Sequence, residues 1–252
     1  MTSFLNEGVL VAIIAFSRIG GCFLVIPVFS GMRVPVQIRI LLVFTLTMAL
    51  VPILWTNIVS RIPDDLAGML LLIGLESLTG FFIGMVARIF MLAIGFVGNA
   101  IAMTIGFSGL PGVAIDGSDP EAALSALISM AALTLLLILD FHHTIIAGLV
   151  TSYDAIKVGD LIDPRMMLVN IADTMHDAFL LVLRLASPFI AYALIANFMV
   201  GLLNKLTPQI PIYFVSLPFI IAGGLILIYL GIPSFLRLFL DGYQFGVRGV
   251  LG

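Results

Sequence analysis

Between residues 66 and 107 the chain runs without a proline, and only Glu76 and Arg88 carry charge. As one helix this stretch of about 42 residues would extend roughly 63 Å at 1.5 Å per residue, about twice the hydrocarbon thickness of a bilayer. A helix that is apolar all round must be covered by lipid or by other protein. Composition extends the constraint to the whole molecule. Of 252 residues 62% are hydrophobic and 10% charged, whereas an ordinary soluble domain is about 25% charged, and the mean hydropathy is +1.25. Eleven basic and fourteen acidic residues are too few for the polar shell of a soluble protein of this length. The expected fold class is an all-α membrane protein of long, kinked helices and helical hairpins.

A span needs about 20 apolar residues, and the stretches 8–29, 38–55, 66–107, 122–150, 179–203 and 210–240 meet or approach that length. Strands are excluded because the runs are too long and do not alternate. Short polar segments separate them, the longest being 151–178, and none is large enough for a second, soluble domain. The stretch 66–107 fits either a tight helical hairpin or one long bent helix clad in protein. Pro218, Gly223, Gly224 and Pro233 interrupt 210–240, where each proline frees a carbonyl that neighbours must satisfy. The amino-terminal residues lack the basic region of a secretory signal, so the first apolar segment is expected to remain in the mature chain. With six spans and an external amino terminus, Arg33, Arg39 and Lys205 fall on one side and Arg61, Lys157, Arg165, Arg237 and Arg248 on the other. That asymmetry is slight, as expected either where neighbouring subunits rather than loop charges hold a protein in place or where the number of spans is not six.

Ionisable groups inside apolar segments cost about 2.5 to 3.5 kcal/mol on insertion scales, so Arg18, Glu76, Arg88, Asp140, His142, His143 and Arg184 require partners or a role. Asp140 and His143 share a helix face at i,i+3 while His142 points elsewhere, and the remaining histidine, His176, falls in the polar segment 151–178. A helix-end hydrogen-bonding role is therefore expected, with no metal and no cofactor. Cys22 lies in an apolar run as a small buried thiol. No Gly-x-Ser-x-Gly elbow, phosphate loop or His-Glu-x-x-His motif occurs, and scattered basic residues argue against nucleic acid. A catalytic site is not expected. The competing classes are a small-solute secondary transporter using Glu76, Arg88, Asp140 and Arg184 as coupling groups, and an intramembrane metalloenzyme.

Packing signals are stronger. Ser77, Gly80, Gly84 and Ala87 line one helix face, suited to close approach by another helix of the same chain or of a second subunit. Ala193, Asn197 and Gly201 recur every four residues, with the Asn197 amide available for an interhelical hydrogen bond. In the segment 106–116, glycines at positions 106, 109 and 112 alternate with Phe107, Leu110, Pro111, Val113 and Ile115. Such a loop is poorly suited to lie free in water and is expected to serve as a plug or a re-entrant packing loop.

The stretch Gly201-Leu202-Leu203-Asn204-Lys205-Leu206-Thr207-Pro208-Gln209-Ile210-Pro211-Ile212 closely resembles the signature of the FliR family of flagellar export-gate proteins and their counterparts in virulence secretion. Within it Asn204, Lys205, Pro208 and Gln209 are the most telling positions. Arg18-Ile19-Gly20, Pro27-Val28-Phe29, Val34-Pro35, Asp119-Pro120 and the His142-His143 pair occur in matching order, and the resemblance spans nearly the whole chain. One departure is Asp140-Phe141, where the family often has Asn-Gly. The resemblance implies a noncatalytic subunit of a type III export apparatus in the bacterial inner membrane, at the flagellar basal body. Its implied partners are FliP and FliQ in a closed helical complex, FlhB and FlhA nearby, and the unfolded flagellar proteins that pass through. It also implies one integral membrane domain over 1–252, FliP-like over about 1–178 and FliQ-like over about 179–252. Phe107, Leu110, Pro111, Val113 and Ile115 would match the family's gate plug by position.

Overall fold

The computed structural model describes residues 2–30, 34–63, 65–107, 123–160 and 164–251. All regular structure among them is helical: α1 (Thr2–Val25), α2 (Pro27–Ser30), α3 (Val36–Val59), α4 (Leu66–Thr104), α5 (Ala123–Ile138), α6 (Phe141–Ala155), α7 (Pro164–Leu206) and α8 (Ile212–Leu251). Five of these helices are long and apolar enough to cross a membrane, and the broken pair α5 and α6 would make a sixth span. One stretch takes the second of the two forms its sequence left open, and three other segments differ from the reading of the sequence. The stretch 66–107 is one continuous helix over Leu66–Thr104 and not a hairpin, because its glycines admit neighbouring helices instead of breaking the chain. The stretch 122–150 is broken at Leu139-Asp140, where Asp140 adopts φ 56°. Residues 151–178 are mostly helix, shared between α6 and α7, so His176 lies on a helix and not in a loop. Finally, α8 runs through Pro218 and Pro233 without interruption.

The described chain divides into two compact units. The first comprises Met1–Phe90, Leu136–Met175 and Gln244–Gly252. Its core gathers Val11, Ile14, Ile19 and Cys22 of α1 with Leu54 and Ile58 of α3 and Leu149 and Tyr153 of α6. The burial pattern follows helical periodicity. In α3 the buried residues are Val43, Thr47, Leu50, Leu54 and Ile58, while Val36, Leu41, Phe44 and Ile53 on the other faces are exposed, as on a helix with one side in a core and the rest in hydrocarbon. In α6 they are Phe141, Ile145, Gly148, Leu149, Ser152 and Tyr153. Asp65 starts α4 by accepting the Gly68 N–H at Oδ2, 2.8 Å away, an N-cap bond worth about 1 kcal/mol.

The second unit comprises Met91–Leu135 and His176–Tyr243. It contains the end of α4, most of α5, and the long hairpin of α7 and α8. The hairpin is registered by Tyr192, whose hydroxyl donates to the Ile220 carbonyl at 2.8 Å. In the same unit Ser125 Oγ donates to the Gly95 carbonyl at 3.0 Å, and a Cβ on Gly98 would meet the Ser125 Cα at 2.8 Å. The end of α4 is a Schellman stop: Gly106 takes φ 78°, Phe107 N–H donates to Ala102 at 2.7 Å, and Gly106 N–H donates to Met103 at 3.2 Å.

Candidate functional site

Within the first unit, two intramembrane charges meet. Arg18 on α1 and Glu76 on α4 form a two-pronged ion pair, Nε to Oε2 at 2.6 Å and Nη2 to Oε1 at 3.0 Å, and both residues are buried. Taking such ions out of water costs several kcal/mol each, and the pair is tolerated only if the remaining donors and acceptors are also satisfied. The chain supplies those partners from the end of α6. Arg18 Nη1 donates to Ser152 Oγ at 3.2 Å, and Nη2 donates to the Ile156 carbonyl at 3.1 Å. The Gly159 N–H donates to Glu76 Oε1 at 3.2 Å, and its φ of 79° is a conformation that favours glycine. Tyr153 lays its ring 3.9 Å from the Arg18 Cζ, a cation–π contact in a water-poor site.

Close approach of α1 and α4 makes this geometry possible. A Cβ on Gly80 would collide with the Arg18 carbonyl, one on Gly21 with the Ser77 carbonyl, and one on Gly84 would meet the Cys22 carbonyl. Ser77, Gly80 and Gly84 of that face therefore pack against α1 of the same chain, and Ala87 is buried. Ser152, Tyr153 and Gly159 escaped the sequence reading because 151–178 looks like a polar loop. For Ser152 and Tyr153, the spacing from Phe141 and Ile145, which continues the buried stripe of α6, was the available signal.

The other sequence-selected residues are placed differently. Asp140, His142 and His143 come together at the start of α6, each offering a ligand atom within 4.8 Å of the others. This corrects the expectation that His142 points away: the left-handed backbone of Asp140 carries its carboxylate to 3.8 Å from His142 Nε2. Of the transporter's coupling candidates, Glu76 is paired with Arg18, Asp140 lies at the helix break, and Arg184 belongs to the second unit. Phe107 follows the Schellman stop; Leu110, Pro111, Val113 and Ile115 lie outside the described residues.

Asn197 and Gly201 lie exposed on α7, and a Cβ on Gly201 would meet nothing within 4 Å. Asn204, Lys205, Pro208 and Gln209 are exposed as well. Their segment is a helix stop followed by a helix start. Thr207 closes α7 through its N–H and Oγ1 on the Leu203 carbonyl. Pro208 cannot continue the helix, and the Pro211 carbonyl accepts the first bond of α8, from Phe214 at 3.0 Å. Around this tip apolar side chains stand uncovered, including Leu206 at 76%, Tyr213 at 58% and Phe214 at 74% exposure.

Comparison with known proteins covers both parts of the chain. Residues 9–245 match the family of bacterial export proteins, family 1. The chain belongs to this family, that of FliR. The flagellar biosynthetic protein FliR of Caulobacter vibrioides is 29% identical over 94% of this chain and 94% of its own length. FliR of Aquifex aeolicus is 26% identical over 90% of this chain and 87% of its own length. FliR of Bacillus subtilis is 24% identical over 86% of this chain and 83% of its own length. The match over 9–245 includes both the Arg18–Glu76 pair and the exposed hairpin tip.

Proposed function

We propose that this FliR-family chain is a noncatalytic subunit of the flagellar type III protein export gate in the bacterial inner membrane. In this reading it joins FliP and FliQ in a channel for unfolded flagellar proteins at the basal body, with FlhB and FlhA beside it. The observation that carries the reading is the hairpin of α7 and α8. Its turn has a defined hydrogen-bond pattern and carries the residues read as the family signature, yet Asn204, Lys205 and Gln209 are exposed and bulky apolar residues surround them. An amide such as Asn197 standing unpacked on an apolar helix gains most when a second helix supplies its hydrogen bond. The paired charges support a structural part for the first unit, since Glu76 is buried and already holds Arg18. The division into a FliP-like portion over about 1–178 and a FliQ-like hairpin over about 179–252 belongs to the same proposal, as does a plug formed by Phe107, Leu110, Pro111, Val113 and Ile115.

Affinity purification of the tagged chain from its native membrane in mild detergent tests the proposal. Recovery of FliP and FliQ in fixed ratio is expected, while a chain that emerges alone and monodisperse contradicts it. The plug has its own assay. Deleting residues 109–114 should raise the ion conductance of the assembled complex, and unchanged conductance would remove the plug from the account.

A further inference from the structure

The second unit contains an apolar cavity of about 670 Å³, within the range of about 300 to 1,000 Å³ common to small-molecule sites. Its walls come from α4, α5, α7 and α8, with Leu127, Ile128, Leu185, Phe189 and Phe235 among them. Arg184 is the single ionisable residue in the lining and Ser234 the single hydroxyl. No ion pair joins Arg184 to a carboxylate among the described residues. We propose that this cavity binds one anionic phospholipid, its acyl chain against the apolar walls and its phosphate on Arg184.

If the hairpin crosses a bilayer with its turn at one interface, helix length brings the cation to headgroup level at the other. From Arg184 to the turn at Thr207, about 23 residues of helix span roughly 34 Å, against a hydrocarbon core of about 30 Å. With the polar turn of the hairpin at one interface, Arg184 reaches the other, and so does Arg237, one turn beyond Ser234 on α8. A guanidinium at that depth seeks phosphate oxygens, which it can bind through two parallel hydrogen bonds, and basic pockets between membrane helices are recognised sites for anionic headgroups. An apolar chamber beside a single cation matches a ligand with one charged end and one hydrocarbon end. A free anion would leave the chamber unfilled, and a zwitterionic lipid would set its own cation near Arg184.

Native mass spectrometry of the full chain in neutral detergent, titrated with phosphatidylglycerol, phosphatidylcholine or inorganic phosphate, tests the site. One retained phosphatidylglycerol per chain is expected, with phosphatidylcholine about tenfold weaker or more, the loss of one charge-assisted contact. Inorganic phosphate should not displace the lipid. Arg184→Gln should bring phosphatidylglycerol down to the phosphatidylcholine level, and Arg184→Lys should restore part of the preference. Gly231 lines the cavity, and a Cβ there would meet nothing within 4 Å, so Gly231→Phe should narrow the chamber and weaken retention of both lipids without disturbing the fold. Equal retention of the two lipids, displacement by phosphate, or an unchanged adduct in Arg184→Gln would overturn the proposal. Absence of any adduct on the isolated chain would also overturn it and point to a protein segment as the occupant.

Discussion

Helices α1 and α8 are equally suited to a membrane, with mean hydropathies of 2.2 and 2.3 over their candidate spans, yet they are covered in opposite ways. Within the chain 56% of the apolar stretch of α1 is buried, against 11% of that of α8. The difference lies in the side chains along their faces. The first helix offers Arg18, Gly21 and Cys22 to the small-residue face of α4, so packing and a satisfied ion pair reinforce each other. The last helix offers Phe214, Phe219 and Tyr229, bulky groups that find nothing comparable among the described residues. Similar hydropathy thus serves two purposes: an internal frame, and a surface awaiting lipid or another subunit.

The comparison breaks most severely at the ion pair. Glu76→Ala leaves Arg18 buried without its partner and should destabilise the first unit by about 3 to 5 kcal/mol. Cys22, the only cysteine and fully buried, reports that loss: its labelling by a thiol-reactive dye should begin at much lower temperature in the variant. An unchanged labelling curve would mean that the pair contributes little. Removing both charges, as Arg18→Met with Glu76→Leu, should recover part of that stability. Recovery should stay incomplete, because the Gly159 N–H and Ile156 carbonyl lose their partners.

Next in size is Gly80→Ala. Its methyl group would force α1 from α4, and overpacking of this kind costs about 1 to 3 kcal/mol, measurable by the same dye. The smallest effect on the isolated chain falls on the hairpin. Gly201→Leu adds a side chain where nothing stands within 4 Å, so stability should stay within about 0.5 kcal/mol or rise slightly with helix propensity. Recovery of FliP and FliQ with the tagged chain should nevertheless fall sharply; equal recovery would exclude this face of α7 from the interface.

These two regions also differ in how far residues alone reveal them. Long apolar runs announce the helices, and the Asn204 to Gln209 segment announces the family, because both signals are local. The Arg18–Glu76 pair is not local: its members stand far apart in sequence, and nothing in either run names the other. Residues 151–178 hid their helices because Asn170, Asp173, His176 and Asp177 suggest a loop, while Thr174, Ala178, Leu181, Val182 and Leu185 keep a buried helical stripe. In α4 the close-packing role of Gly80 and Gly84 is legible from their spacing, but the neighbour is not: only the structure shows that α1 of the same chain approaches them. At Asp140 a single left-handed residue redirects the carboxylate toward His142, which ideal helical spacing does not anticipate.

Site-specific photocrosslinking in the native membrane addresses the contrast between frame and surface most directly, with a photoreactive amino acid placed at Phe214 or Tyr229 on the hairpin and at Ile14 in the core. The account predicts crosslinks from the hairpin positions to other export proteins, and from Ile14 only to this chain. Hairpin positions that label lipid alone, in cells assembling flagella, would contradict it.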